Sequence, residues 1–169
     1  MYGSEIDEAL HSYKERGSFL GVFANGEHVD FPVNSYCVMN TANFEQGIVA
    51  STELGTRNQS PSHPVLHWCL IGRYSNFLYE IFDPQPLLTS NFFYLFQGLS
   101  GSVIMNDQTL MPTQEQKSMM CGEFICYFFV KRQENLDLDF ATLLNSIFTT
   151  DVNENASLVN TFMNGIKEV

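Results

Sequence analysis

The sequence predicts an α+β fold in which helices pack against a mainly antiparallel sheet. The first observation is the order of the elements, since a helix, several strands, a helix, a strand and a final set of helices follow one another, which is typical of this class. The second is the stretch Cys121–Arg132, which is apolar nearly all round and therefore suits a buried central helix. With 169 residues, of which 44% are hydrophobic, we expect a single domain over residues 1–169.

The N-terminal part predicts one helix, two strands and a long loop. Residues 4–16 form an amphipathic pattern with acidic residues first and basic residues last, and Gly17 is placed to end the helix. Residues 19–24 and 35–41 are short runs of strand-forming residues. Residues 45–64 are rich in Ser, Thr, Gly, Asn and Pro, so we expect a long loop, a type that is usually functional or mobile.

The middle of the chain predicts a hairpin and a further strand. Residues 65–74 and 76–84 are both rich in strand-forming residues, with a short turn between them. Pro84 is placed to end the second of these strands, because proline cannot donate to a strand ladder. Residues 90–100 have a mixed character that can begin a helix, and residues 101–106 predict a short strand.

The C-terminal part predicts three helices. Residues 110–118 are mostly polar and include a proline, so we expect a loop that leads into the buried helix Cys121–Arg132. Residues 137–148 and residues 155–169 then show the apolar spacing of amphipathic helices.

The charge and the cysteines limit the classes of function. Eight Lys and Arg residues stand against nineteen Asp and Glu residues, for a net charge of −11; because nucleic-acid binding usually needs a basic patch, we expect no nucleic-acid partner. No run reaches the roughly 18 apolar residues of a membrane span, and the N-terminus is too polar for a signal peptide. The four cysteines lack a Cys-x-x-Cys spacing, which predicts free thiols in a reducing, intracellular compartment.

Four side chains have the chemical types that a cysteine hydrolase needs: a thiolate, a base, a group that orients the base and an oxyanion donor. Cys121 begins the buried helix, where the macrodipole favours an anion, and Gly122 leaves room for a substrate backbone. His67 and Asp83 lie on two adjacent predicted strands, which can place the two side chains together. Gln114 precedes Cys121 by seven residues and can direct an amide N–H at an oxyanion.

Each of these residues also has an ordinary structural explanation. A histidine on a strand is more often packed than catalytic, and free cysteines such as Cys69 and Cys126 are among the most buried residue types. An aspartate before a proline is commonly a turn residue. The catalytic hypothesis therefore depends on the occurrence of all four residues in one order.

The order and spacing resemble those of the adenovirus protease (adenain) family. The chain has His-Trp at 67–68, Phe-Asp-Pro at 82–84, and Gln114 seven residues before Cys-Gly-Glu-Phe at 121–124. The family pattern has His-Trp, an acid followed by proline about one strand later, and a glutamine seven residues before Cys-Gly. The upstream segments "GSFLGVFANGEHVDFP" and "MNTANFEQG" are also similar to family segments, so the resemblance covers most of the chain.

The resemblance implies a papain-like fold, shared with SUMO-specific proteases, in which the nucleophile lies at the N-terminus of the central buried helix. Cys121 would be the nucleophile, His67 the general base, and Asp83 the group that orients His67. Gln114 and the Cys121 backbone N–H would form the oxyanion hole, and Trp68 would pack beside the imidazole. Family members process virion precursor proteins at Gly-containing sites, so the implied location is the virion and the infected host cell, in the nucleus or the cytoplasm.

The chain departs from the family in the features that concern cofactors. Adenoviral enzymes look basic and use DNA, whereas the net charge here is −11, which argues against DNA activation. They also use a short viral peptide that is disulfide-bonded to a cysteine; Val103 stands at that position here, beside Ser102, so a covalent peptide activator is not expected and a noncovalent one stays open. The longer loop at residues 45–64 leads to the hypothesis that it gates the site or replaces part of the cofactor system.

Three other functions stay open. A protease that removes ubiquitin-like proteins shares the fold and the order of the triad, but those enzymes usually place the glutamine one residue nearer the cysteine and have an aspartate where Met120 stands here. A noncatalytic capsid or interaction protein would have no physical need for all four residues. His63 and His67 have a spacing that suits a metal on a helix, but the stretch predicts loop and strand, and no cysteine pair completes a zinc site. We therefore expect no metal.

Overall fold

The computed structural model describes residues 1, 3–23, 27–40, 68–84, 101–106 and 120–167, and this part of the chain has an α+β fold. Its strands are β1 (Phe19–Phe23), β2 (Ser35–Asn40), β3 (Trp68–Arg73), β4 (Leu78–Phe82) and β5 (Ser102–Met105). Its helices are α1 (Gly3–Ala9), α2 (His11–Glu15), α3 (Cys121–Glu134), α4 (Phe140–Ile147) and α5 (Val152–Lys167). The predicted helix start at 90–100 and the predicted loops at 45–64 and 110–118 lie outside the described residues.

The strands form one mixed sheet in the order β1-β2-β3-β4-β5. The two central pairings, β2 with β3 and β3 with β4, are antiparallel, and the second of them is the predicted hairpin. The outer pairings, β1 with β2 and β4 with β5, are parallel. The prediction of a mainly antiparallel sheet is therefore wrong for the outer strands. Apolar runs identify strands but carry no information on direction, which depends on the connections between them.

The predicted N-terminal helix is divided into α1 and α2. Leu10, which is fully buried, interrupts the helix with a ψ of 17°. The predicted end at Gly17 is confirmed, since Gly17 has a φ of +82°. The N–H of Gly17 donates to the Lys14 carbonyl and the N–H of Ser18 donates to the Tyr13 carbonyl, both at 3.1 Å. These two bonds form a Schellman motif, which needs a left-handed residue at this position.

Helix α3 lies at the centre of the fold, as its apolar sequence predicts. Phe128 stacks on Phe82 of β4 with the ring centroids 4.4 Å apart, and Phe129 packs against Phe19 of β1 and Tyr36 of β2. One face of the sheet therefore shares the main core with α3. A smaller apolar cluster covers the other face; it contains Cys37, Met39, Cys69, Ile71 and Ile81.

The two C-terminal helices are also confirmed, with small shifts at their starts. Helix α4 begins after Asp139, whose carboxylate accepts the N–H of Thr142 at 2.7 Å. That hydrogen bond lowers the pKa of Asp139 below its ordinary value and caps the helix. Helix α5 begins at Val152 rather than at residue 155, because Asp151 accepts the N–H of Asn153 at 2.9 Å and so caps an earlier turn.

A buried ion pair joins the C-terminal end of α3 to the sheet. Arg132 and Glu80 are 0% and 1% exposed, and Arg132 Nε donates to Glu80 Oε1 at 2.9 Å while Nη2 donates to Glu80 Oε2. Tyr36 Oη donates to the same Glu80 Oε1 at 2.7 Å. Arg132 Nη1 donates to the carbonyls of Asn135 and Leu138 at 2.9 and 2.6 Å. We call Arg132, Glu80 and Tyr36 the buried polar network.

The buried polar network shifts the pKa values of Arg132 and Tyr36. Burial acts to lower the pKa of Arg132, but the hydrogen bonds and charge of Glu80 outweigh it and raise that pKa above its ordinary value. Burial, followed by the charge of Glu80, raises the pKa of Tyr36. Arg132 thus remains a cation and Tyr36 a neutral donor over the physiological pH range.

The buried polar network makes a testable prediction about stability. We expect Glu80→Gln to lower the free energy of unfolding by about 3–5 kcal/mol, because a buried guanidinium loses its counterion. The matched control is Glu134→Gln, since Glu134 is 53% exposed and pairs with Lys131 at 3.9 Å; there we expect a change of at most about 1 kcal/mol. Urea denaturation measures both, and equal losses in the two variants would contradict the prediction.

Candidate active-site edge

The described residues include four of the six site residues that the sequence predicts. These are Trp68, Asp83, Cys121 and Gly122. His67 and Gln114 lie outside the described residues. The geometry below therefore concerns the nucleophile candidate, the carboxylate and the elements that carry them.

Two sets of contacts fix the direction of α3 along the sheet. At its N-terminal end, Met1 lies between α3 and β3: its carbonyl accepts the Trp68 indole N–H at 3.2 Å. A Cβ on Gly122 would lie 2.7 Å from the Met1 Cβ. Near the C-terminal end of α3, Arg132 binds Glu80, the middle residue of β4. Helix α3 therefore begins at the edge of the sheet where β3 begins and β4 ends.

Cys121 is the first residue of α3, as predicted. The residue before it, Met120, has no side-chain oxygen that can accept an N–H, and its carbonyl accepts the N–H of Phe124 at 3.0 Å. The N–H groups of a first helical turn have no acceptor within the helix, and together with the macrodipole they favour an anion at this position. The sulfur of Cys121 is placed at that end of the helix.

The other three cysteines have different surroundings. Cys121 is 6% exposed, whereas Cys37, Cys69 and Cys126 are 0% exposed. Burial, followed by the charge of Glu123, raises the pKa of Cys126 to about 12. Burial also raises the pKa of Cys37. No disulfide joins any two of these four cysteines, all of which lie in the described ranges. Cys37 and Cys126 remain neutral thiols at physiological pH.

Asp83 follows the last residue of β4 and is 2% exposed. Its backbone is held on both sides by Asn106, whose Oδ1 accepts the Asp83 N–H at 2.8 Å and whose Nδ2 donates to the Asp83 carbonyl at 2.6 Å. The register pairs Phe82 with Leu70, so Asp83 lies beside the first residues of β3. The sequence places His67 directly before β3, and Asp83 therefore lies at the edge that a His67–Asp83 pair requires.

Asn106 is the residue that the sequence analysis missed. It follows β5 directly and is 0% exposed. The available signal is its amide at the end of the apolar run Val103–Met105, since a buried amide must have hydrogen-bond partners. Because both of its bonds reach the Asp83 backbone, Asn106 fixes where β4 ends.

Trp68 and Gly122 have structural surroundings that the sequence did not predict. Trp68 is 1% exposed and belongs to the same core cluster as Cys121; its predicted contact with an imidazole depends on His67, which lies outside the described residues. Gly122 is buried under Met1 and Ile6. The absence of a side chain there has a packing reason, in addition to the predicted role in substrate approach.

Comparison with known proteins gives no match to any family model or to any curated protein. Within the described ranges, His, Cys, Asp and Glu side chains form no group of three that would suit a metal ion; the histidine pair His63 and His67 lies outside those ranges. The helices in the described part are all too short or too polar to cross a membrane. The case for a function therefore depends on the residues at this edge.

The close contact at Gly122 leads to a prediction about packing at the start of α3. A Cβ at this position would lie 2.7 Å from the Met1 Cβ and 3.3 Å from Ile6 Cδ1, so we expect Gly122→Ala to lower the free energy of unfolding by about 1–3 kcal/mol. Gly165 in α5 is the matched control, because a Cβ there meets nothing within 4 Å. We expect Gly165→Ala to gain about 0.5–1 kcal/mol from helix propensity. Urea denaturation of both variants is the measurement, and a Gly122→Ala protein as stable as the wild type would refute the proposed contact.

Proposed function

We propose that this chain is a cysteine endopeptidase in which Cys121 is the nucleophile, His67 the general base and Asp83 the carboxylate that orients His67. The observation that carries the proposal is the meeting of three chain positions at one edge of the sheet. The start of α3 with Cys121, the start of β3 and the end of β4 with Asp83 lie there together. His67 precedes β3 directly in the sequence, which is the reason we propose it as the base.

The proposed reaction is hydrolysis of a peptide bond through a covalent thioester on Cys121. The Cys121 sulfur, with its proton taken by His67, attacks the carbonyl carbon of a substrate peptide bond. The Cys121 backbone N–H and the Gln114 amide stabilise the oxyanion that forms. His67 then gives its proton to the leaving amine as the C–N bond breaks, which leaves a thioester that water hydrolyses. Asp83 holds the imidazole in the tautomer that makes both proton transfers possible.

We further propose that the substrates are virion precursor proteins cleaved at Gly-containing sites, in the virion or the infected cell. This part rests on the resemblance of the motifs around His67, Asp83, Gln114 and Cys121 to adenain. Val103 lies on β5, where it is 42% exposed and has no thiol, which supports the expectation that no peptide is attached there by a disulfide. The net charge of −11 supports the expectation that DNA is not an activator.

The reactivity of the four cysteines tests the nucleophile. In the folded protein we expect iodoacetamide to modify Cys121 fastest between about pH 5 and 7, because a thiolate reacts and a thiol does not. Cys126, with a pKa raised to about 12 by burial, and Cys37, also raised by burial, stay protonated there and react slowly. Mass spectrometry of each cysteine at each pH gives the rates.

The control for this experiment is the same pH series on His67→Ala. If His67 is the base partner, the advantage of Cys121 below neutral pH disappears while the rates at Cys37 and Cys126 do not change. Equal rates at Cys121 and Cys126 in the wild type, repeated after incubation with virion extract as a source of activator, would refute a catalytic role for Cys121.

A second prediction concerns Asp83. Asp83→Asn keeps the size of the side chain and leaves the two bonds between Asn106 and the Asp83 backbone in place, so we expect the fold to persist. We expect kcat/KM on Gly-containing fluorogenic peptides to fall roughly 10²–10⁴-fold, because an amide holds the imidazole in the wrong tautomer. Asp137→Asn, at an exposed position between α3 and α4, is the matched control and should retain full activity. Turnover of a ubiquitin-like conjugate in place of these peptides would assign the chain to the deconjugating class instead.

A further inference from the structure

A buried asparagine bonds both backbone groups of the proposed triad aspartate. Asn106 follows β5 and is 0% exposed. Its Oδ1 accepts the Asp83 N–H at 2.8 Å, and its Nδ2 donates to the Asp83 carbonyl at 2.6 Å. The register of β4 with β5 ends at Ile81 and Met105. The Asn106 amide therefore continues the pairing past the end of β5, as the backbone of a further strand residue would.

These two bonds restrain Asp83 on both sides of its Cα. The N–H belongs to the peptide group before that Cα and the carbonyl to the peptide group after it, and each peptide group is planar. Pro84 adds a further restriction, because a residue before proline favours extended backbone. With both peptide planes held, the Cα–Cβ bond of Asp83 has a fixed direction. Because Asp83 is 2% exposed, a shift of its backbone would displace its carboxylate as well.

A carboxylate that orients a general base needs this kind of restraint. A misplacement of about 1 Å in a catalytic group can lower a rate roughly 10²-fold. The side chains that take part in a reaction are therefore held by further hydrogen bonds from residues behind them. Asn106 occupies such a position behind Asp83, since its bonds reach the backbone of Asp83.

A second asparagine makes the same pair of bonds at a place that carries no candidate site residue. Asn155 is also 0% exposed. Its Oδ1 accepts the Thr149 N–H at 2.7 Å, and its Nδ2 donates to the Thr149 carbonyl at 2.9 Å. Thr149 lies in the connection between α4 and α5. Asn155 therefore supplies a control with matching chemistry and burial, in which the bonds stabilise a turn alone.

We propose that Asn106 is a positioning residue of the peptidase: by holding the backbone of Asp83, it directs the Asp83 carboxylate toward His67. This inference rests on the proposed function, because it assigns Asn106 a role in the same site. Asn106 touches neither the substrate nor the reacting atoms in this proposal and acts only through Asp83. Loss of its two bonds should therefore have the same kind of effect as loss of the carboxylate.

The test measures the rate of iodoacetamide modification at Cys121 of the full chain between about pH 5 and 9, and takes the pH of half-maximal rate. Asp83→Asn gives the reference shift. The carboxylate stabilises the imidazolium, so without it the thiolate–imidazolium pair forms less readily. We expect the half-maximal pH to rise by about 1–2 units, the equivalent of one hydrogen bond to a charged group. Asn106→Leu replaces the amide with an apolar group of similar shape, and we expect at least about half of that rise.

Two further variants separate a positioning role from a purely structural one. Asn155→Leu removes the matching pair of bonds, and we expect its half-maximal pH to stay within about 0.2 unit of the wild-type value. The double variant Asp83→Asn with Asn106→Leu should give the same value as Asp83→Asn alone, because no carboxylate is left to direct. Circular dichroism and thermal unfolding establish that each variant is folded. Asn106→Ala, which leaves room for a water beside the Asp83 backbone, takes the place of Asn106→Leu if that variant does not fold.

Three results would overturn the role of Asn106 and leave the proposed peptidase intact. A shift in Asp83→Asn without one in Asn106→Leu would show that Asn106 only stabilises the fold. Equal shifts in Asn106→Leu and Asn155→Leu would show a general effect of lost stability. A larger shift in the double variant than in Asp83→Asn would show that Asn106 acts by a route other than the carboxylate. An Asp83→Asn profile identical to that of the wild type would instead refute the His67–Asp83 pair itself, and the inference with it.

Discussion

The position of every candidate catalytic group in the described part depends on the buried pair of Arg132 and Glu80. Each charge costs several kcal/mol to remove from water, and that cost is offset only when the geometry is complete. Here Arg132 donates four hydrogen bonds, two to Glu80 and two to carbonyls of the connection after α3. Such a pair tolerates only one position of the helix on the sheet, because a shift by one turn would leave a buried charge without its counterion. The register of α3 against β4 is therefore determined far from Cys121.

The packing within the sheet also accommodates the buried polar network. Tyr36 of β2 donates to Glu80 across the intervening strand β3, and its register partner on β3 is Gly72. A Cβ at Gly72 would lie 1.9 Å from the Tyr36 ring, so only glycine allows the ring to cross β3 and reach the carboxylate. Glycine inside a strand usually marks such a close approach. Together with Met1 at the other end of α3, this arrangement fixes the helix at two points.

The sequence predicts the elements that depend on neighbouring residues. It misses the features that depend on contacts between distant segments. Helix α3 is predicted almost to the residue because its apolar character is continuous, and Gly17 is predicted as a helix end because a left-handed position has one favoured residue. The break at Leu10 and the parallel direction of β5 are not predicted, since packing and connections determine them. Asp83 and Cys121 are identified by type and spacing, whereas the support that Asn106 gives to Asp83 becomes evident only when two segments 23 residues apart meet.

Cys121 and Cys126 show how position within a helix changes the surroundings of a cysteine. The two thiols lie on the same helix, five residues apart, and both belong to the main core. Five residues correspond to about 140° of rotation and 7.5 Å of rise, which takes Cys126 past the first turn and into surroundings that raise its pKa to about 12. Cys121 stays in the first turn, where the backbone N–H groups have no acceptor within the helix, and the residue is 6% exposed. The proposal of Cys121 rather than Cys126 as the nucleophile rests on that difference in position.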